Sequence, residues 1–316
     1  MIAIMLRRLA GLFLTLAAVS LLIFVVMDVL PGDPASITLG TSASPDTLAA
    51  LREEMGLNQP VLLRYLHWLA GVAHGDFGRS YTYGVPVADL IAERLTVTLP
   101  LALMAILLSV AIALPLGASA AARRGGAIDN FATFFAQTSI AVPAFWTGLL
   151  LILLFSTRLG ILPSGGFPGW SSAPWSALTA LLMPAVSLAI PQAGVMTRVV
   201  RAAVLETRQQ PYARTALAKG LSARRILWQH CVPNALVPML AILGLQFTFL
   251  VAGSVLVENV FNLPGLGRLA YQALSQRDIV VMQDVVLVFA GLVIIVNFLV
   301  DLSYLAVDPR LRSESA

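Results

Sequence analysis

One cysteine, three histidines and sixteen acids are the rarer groups in this 316-residue chain that, beside its serines, threonines, tyrosines and single lysine, could serve as nucleophiles, metal ligands or acid–base catalysts. Cys231 stands alone, so no internal disulfide can form. His67, His74 and His230 share no zinc-site spacing with it or with each other. No metal site is expected. No Ser-His-Asp set and no paired-carboxylate cluster stands out, and no glycine-rich loop ends in Lys-Ser or Lys-Thr. The sequence therefore predicts no catalytic residues and no nucleotide site of the usual kind.

The charges are informative through their places. The net charge is +4, and nineteen of the twenty bases are arginine, Lys219 being the exception. A pI near 9.6 would suggest nucleic acid in a soluble protein. This chain is 58% hydrophobic and only 11% charged, whereas soluble chains carry about a quarter charged residues. That excludes an ordinary cytosolic enzyme and a nucleic-acid-binding domain, and no nucleic-acid partner is expected. The chain reads as an integral membrane protein in contact with lipid. Asp28 and Asp301 are the acids most nearly inside the hydrocarbon, where ionisable groups mark functional sites by default. Both lie near a boundary where water reaches them, and Asn297 and Asp301, one turn apart, suit an interhelical hydrogen bond. Asp76 and Arg79, three apart, are expected to pair.

Several elements must position these groups. A spanning helix needs about 20 mostly apolar residues. The run from Leu9 to Met27 is too long for a signal peptide core and lacks a small-residue cleavage site, so it reads as a retained first span. Residues 95–122 and 130–157 are uncharged and give spans two and three. The uncharged stretch 159–197 opens with turn formers and aromatics from Pro163 to Trp170, leaving span four at 177–197. Spans five and six fall at 235–257 and 281–305. Six spans put both termini on one side. The positive-inside rule makes that side cytoplasmic, because segments around Arg7, Arg123, Arg198 to Arg225 and Arg310 then hold thirteen bases against four acids. The expected organisation is an N-terminus with span one (1–30), an extracytoplasmic helical loop (31–98), a five-span core (99–305) containing a basic inner loop (198–234), and a tail (306–316). Pro100, Pro115, Pro143, Pro184, Pro191 and Pro238 lie in or beside spans and can bend them. Gly244, Gly253 and Gly291 are expected to permit close helix contact.

The inner loop has the clearest local signals. Pro211 suits a first helical turn, Tyr212 to Lys219 can continue it, and Gly220 can take a left-handed cap. Ser222 is an N-cap for the helix leading into span five. The spacing predicts a short helix from Pro211 to Lys219, about 13 Å long, too short to be stable without docking. Ala213, Ala216, Leu217 and Gly220 share one face, which reads as a small surface for close packing.

Arg214-Thr215-Ala216, three residues, Gly220 and then Pro233 thirteen positions later resemble the inner loop of ABC importer permeases. In that family the pattern runs Glu-Ala-Ala, three residues, Gly, nine residues, Ile, one residue, Leu-Pro. Arg214 here replaces the glutamate and His230 the isoleucine. The chain is similar almost end to end to the dipeptide/oligopeptide branch. The likeness runs through Pro31-Gly32-Asp33-Pro34-Ala35, Gly75-Asp76-Phe77-Gly78-Arg79-Ser80 and Pro143-Ala144-Phe145-Trp146. It continues through Tyr212-Ala213-Arg214-Thr215-Ala216 with Ala218-Lys219-Gly220, Pro264-Gly265-Leu266-Gly267-Arg268, and Asp308-Pro309-Arg310.

The resemblance implies an all-α membrane protein with six transmembrane helices, like a type I ABC importer permease. It would have a helical extracytoplasmic insertion after span one and a cytoplasmic coupling helix between spans four and five. It implies transport of peptides or peptide-like solutes across a bacterial or archaeal plasma membrane. The implied partners are a second permease, two ATP-binding subunits that hold ATP and Mg, and an extracytoplasmic substrate-binding protein, with no cofactor in this chain. Tyr212, Ala213, Arg214, Thr215, Ala216, Lys219, Gly220 and Pro233 would couple to the ATPases. Asp28, Pro143, Phe145, Gly244, Gln246 and Glu258 are candidates for the path or its gate, Glu258 being equally readable as a solvated charge in a turn-rich connector. An ion-coupled secondary transporter is the alternative, although paired acids near the midplane are not seen.

Overall fold

The computed structural model describes residues 2–29, 35–36, 44–54 and 56–307. The stretch 31–34, Met55 and the tail from 308 onward, with the Asp308-Pro309-Arg310 motif, lie outside the described residues. The helices are α1 (Ile2–Val29), α2 (Pro45–Glu54), α3 (Val61–Ala73), α4 (Val87–Ala122), α5 (Ala127–Ala141), α6 (Ala144–Leu151), α7 (Pro174–Thr207), α8 (Pro211–Ala218), α9 (Ala223–Ile226), α10 (Val232–Val260), α11 (Leu266–Gln276) and α12 (Ile279–Val307). π-helical turns follow α6 (Ile152–Arg158) and join α9 to α10 (Leu227–Cys231). Among the described residues there is no strand, only an isolated bridge between Arg79 and Pro86.

Five of these helices are long and apolar enough to cross a membrane: α1, α4, α7, the run Ala223–Val260, and α12. Span three departs from the single helix predicted over 130–157. Ala127–Ala141 and Ala144–Arg158 meet at 102°. Pro143 has no N–H to give the ladder and drives Val142 out of the helical region, to φ −94° and ψ 122°. Pro100, Pro115, Pro184, Pro191 and Pro238 all sit inside helices instead.

The described residues divide into two compact units, one drawn from 99–263 with 295–307, the other from the described part of 2–98 with 264–294. In the first, α7 is the centre, with Leu181, Leu188, Ala189, Ala193, Met196 and Val200 all buried. Small residues bring its neighbours close. A Cβ at Gly194 would stand 3.2 Å from the Ala136 carbonyl of α5, and one at Gly117 of α4 would stand 2.8 Å from the Thr197 carbonyl. Gly244 lets α10 meet Asn297 of α12, whose Oδ1 a Cβ there would strike, and Gly253 packs near Leu188. Gly291 departs from expectation, since a Cβ there meets nothing within 4 Å.

The second unit packs Val87 and Ile91 of α4 on Leu266, Leu269 and Ala273 of α11 and on Val281 and Val285 of α12. Ile23 and Met27 of α1 close on Leu287 of α12. Polar ties fix α3 to α1: Ser20 Oγ and Tyr65 Oη are 2.9 Å apart, and Arg64 pairs with Asp28 at 2.8 Å. The expected Asp76–Arg79 pair is replaced by backbone contacts. Asp76 Oδ1 accepts from the Gly78 N–H at 2.9 Å, and Arg79 Nη2 donates to the Gly84 carbonyl at 2.8 Å. Asp278 accepts from the Ser80 hydroxyl and the Thr82 N–H, pinning that loop to the start of α12.

Candidate functional site

The inner loop is built by local rules. Pro211 opens α8 in its first turn, and Thr215 Oγ1 donates back to the Pro211 carbonyl at 2.9 Å. Gly220 takes φ +83°, a region closed to most L-residues. The Gly220 N–H then reaches the Leu217 carbonyl at 2.9 Å and the Leu221 N–H the Ala216 carbonyl at 3.2 Å, the paired bonds of a Schellman cap. Ser222 Oγ accepts from the Arg225 N–H at 3.4 Å and starts the helix that runs through the π turn into α10.

The faces of α8 correct one sequence expectation. Ala213 and Ala216 do not form an outward docking surface; both are buried in a cluster with Val200 and Val204 of α7, and with Ile226, Leu227, Cys231 and Val232. Periodicity groups residues on a face without saying what covers it, and here the chain's own span ends cover the alanines. Leu217, assigned to the same face, is 62% exposed. The open side of α8 holds Tyr212, Arg214, Thr215, Leu217, Ala218 and Lys219, with Gly220 beside them. Partial burial and the neighbouring Cys231 push the Tyr212 phenol up from its ordinary value. Arg224, Arg225, Trp228 and Pro233 are exposed next along the chain. The result is a basic surface carrying two aromatic rings and one leucine.

Two arginines missed by the sequence reading anchor this loop. Arg201 of α7 forms a bidentate pair with Asp129 at the start of α5, Nη2 to Oδ2 being 2.9 Å, and Asp129 also accepts from the Gly125 N–H at 2.8 Å. Arg208 Nη1 donates to the Ala121 and Ala122 carbonyls at 2.7 and 3.2 Å, satisfying the open C-terminus of α4. These partners lie 72 and 87 residues apart, so no local spacing reveals them.

The path candidates lie on several different elements. Asp28 belongs to the other unit and is held by Arg64. Pro143 forms the bend, and Phe145 beyond it is 36% exposed. Gly244 and Gln246 lie on α10, where Gln246 is buried and its Oε1 has no partner among the described residues. Glu258 near the end of α10 is fully buried, which overturns its reading as a solvated charge. Among the described residues no group of three or more His, Cys, Asp or Glu is placed to hold a metal ion.

Comparison with known proteins agrees with this architecture. Residues 113–313 match the family model "Binding-protein-dependent transport system inner membrane component". Residues 1–102 match "Binding-prot-dependent transport system membrane comp, N-term". The chain is 38% identical over 309 residues to the probable peptide ABC transporter permease protein y4tP of Sinorhizobium fredii, covering 97% of this chain and 98% of that one. It is 40% identical over 312 residues to a putative peptide transport system permease protein of Brucella abortus, covering 99% of each. It is 37% identical over 312 residues to the glutathione transport system permease protein GsiC of Salmonella typhimurium, again covering 99% of each. A solved structure of the MetNI methionine ABC transporter in inward-facing conformations is similar in fold, with a TM-score of 0.56 and 20% identity over 69% of this chain and 96% of that one.

Proposed function

The chain belongs to the family of binding-protein-dependent transport system inner membrane components, and we propose that it is the permease subunit of an ATP-driven importer for peptides or peptide-like solutes. The names of its relatives support that substrate class, and nothing among them favours an ion-coupled secondary transporter. In this reading a second permease completes the path. Two ATPases, which bind the ATP and Mg, meet the inner loops, and an extracytoplasmic binding protein delivers the solute. Both termini and α8 face the cytoplasm of a prokaryotic cell, following the arginine distribution.

One observation carries the coupling mechanism: α8 is opened by Pro211, closed by the Gly220 cap, packed by its alanines against two spans, and open on its other side. A displacement of the open side passes through Ala213 and Ala216 to α7 and α10 by direct contact. The Arg201–Asp129 pair and Arg208 extend the connection to α5 and α4. Close-packed side chains transmit such shifts because they cannot compress. Rocking of the spans follows from rigid-body movement of the inner loop when the ATPases close.

Leu217→Asp tests this reading. Leu217 is 62% exposed and belongs to no buried cluster, so insertion and thermal stability should stay close to the parent. Loss of an apolar anchor at a protein interface is worth about 2 kcal/mol, or roughly 30-fold in affinity, so ATPase subunits should co-purify poorly and transport should fall with them. Unchanged co-purification and unchanged transport would remove α8 as the coupling element.

A further inference from the structure

The second unit holds a half-open cleft of about 300 Å³ between α1, α3, the loop around Tyr81 and the start of α12. Phe24, Trp68 and Tyr81 contribute aromatic lining, and Arg64, His67 and Asp284 the remaining ionisable groups. Asp284 is fully buried. Its Oδ1 accepts from the Trp68 indole N–H at 2.8 Å, while Oδ2 has no partner among the described residues. A buried acceptor without a donor is costly, and buried charges are ordinarily paired.

The charges of the cavity decide what would pair with it. Arg64 is committed to Asp28 at 2.8 Å and lies 5.8 Å from the centre of the Phe24 ring. Its charge is thus already balanced. Burial, with Asp278 nearby, pushes the Tyr81 phenol up from its ordinary value, so that group stays neutral. The buried carboxyl of Asp284 is left with Oδ2 lacking a donor, and the electron-rich rings that share its lining favour a cationic donor. The volume is at the small end of ligand pockets, suited to an amine-bearing small molecule rather than a protein segment.

We propose that this cavity binds a primary ammonium group, with Asp284 Oδ2 accepting its hydrogen bond and the aromatic residues lining it. The site goes beyond the coupling reading and does not depend on it, because all of its lining belongs to the second unit. The ammonium could be supplied by a small solute or by an aminophospholipid headgroup.

The test uses the full-length chain in phosphatidylglycerol nanodiscs, with Trp146, Trp170, Trp175 and Trp228 replaced by phenylalanine so that emission reports on Trp68. Butylammonium should shift that emission saturably, whereas 1-butanol and butyrate should not. Asp284→Asn should weaken the butylammonium response at least tenfold. Gln59→Lys, which places a tethered ammonium on the lining while leaving Asp284 and Trp68 intact, should suppress it too and guards against misfolding of the first variant. Equal responses to butylammonium and 1-butanol would overturn the proposal, as would wild-type binding by the Gln59→Lys variant. Competition by added phosphatidylethanolamine would assign the ammonium to lipid, and no competition would assign it to a solute; both results keep the site.

Discussion

Substitution at Gly220 separates the fold of the inner loop from whatever touches it. The residue sits at φ +83°, and a Cβ built on it meets no heavy atom within 4 Å. Placing an L-residue in the left-handed region costs about 1–2 kcal/mol, and asparagine less because its short polar side chain tolerates that region. With no neighbour to strike, the cost is conformational alone. Gly220→Ala and Gly220→Trp should therefore loosen the isolated chain to nearly the same extent, with Gly220→Asn between them and the parent. The Leu221 N–H, bonded to the Ala216 carbonyl at 3.2 Å only when the cap is closed, is the reporter. A loss of about 1–2 kcal/mol corresponds to roughly 5–30-fold faster amide hydrogen exchange there. In the assembled transporter the two variants should part company. If an ATPase sits over this end of α8, the tryptophan adds volume that the partner must accommodate, and transport should fail in Gly220→Trp while persisting at reduced rate in Gly220→Ala. Equal exchange at Leu221 in the parent and Gly220→Ala would refute the role of the cap. Equal transport by the alanine and tryptophan variants would place the partner elsewhere.

Asp129→Ala removes the bidentate partner of Arg201 and the acceptor of the Gly125 N–H; it should lower stability by about 2–4 kcal/mol, with Asp129→Asn milder, as read from thermal unfolding in detergent. Gly194→Ala drives a Cβ into Ser139 Oγ and should cost about 1–3 kcal/mol. Adding Ser139→Ala should recover part of that loss, and a double variant no more stable than Gly194→Ala alone would show that the hydroxyl is not the obstacle. For topology, Ser44→Cys and Ser222→Cys in a Cys231→Ala background should respond oppositely to an impermeant thiol reagent on intact cells. Labelling at Ser44→Cys alone is expected, and labelling at Ser222→Cys alone would reverse the orientation.

The spans were legible because a hydrocarbon core demands uncharged runs of a set length, and the sequence interrupts those runs with arginine. The α8 loop was legible for a different reason. Pro211, Gly220 and Ser222 each act on the backbone within a few residues, so their effects need no knowledge of the rest of the fold. The bend at Pro143 was not legible, since five other prolines in the described residues are accommodated inside helices by the same chemistry. Only tertiary packing separates a kink from a break, and beyond this break Gly148 admits the Phe261 ring to within 2.8 Å of a would-be Cβ. The inward face of α8 was hidden too, because helical spacing groups Ala213 with Ala216 but leaves their cover undefined. The Trp68–Asp284 bond spans 216 residues and leaves no periodic trace. Glu258 looked like a loop charge because it follows an apolar run, yet α10 continues past it to Val260.

The π turn at Leu227–Cys231 gives this chain a place to gain or lose a residue. A π turn closes its hydrogen bonds one residue later than an α turn, so it stores one extra residue between α9 and α10. Ile226 before it and Val232 after it still reach the same buried cluster. Deleting one residue there can let the turn close as ordinary α-helix and leave both flanks in phase. The same deletion elsewhere in the run Ala223–Val260 would rotate everything beyond it by about 100°, turning Gly244 away from Asn297. A one-residue gap between relatives of this chain is therefore best placed at this turn, where the helix can change length without changing which way its faces point.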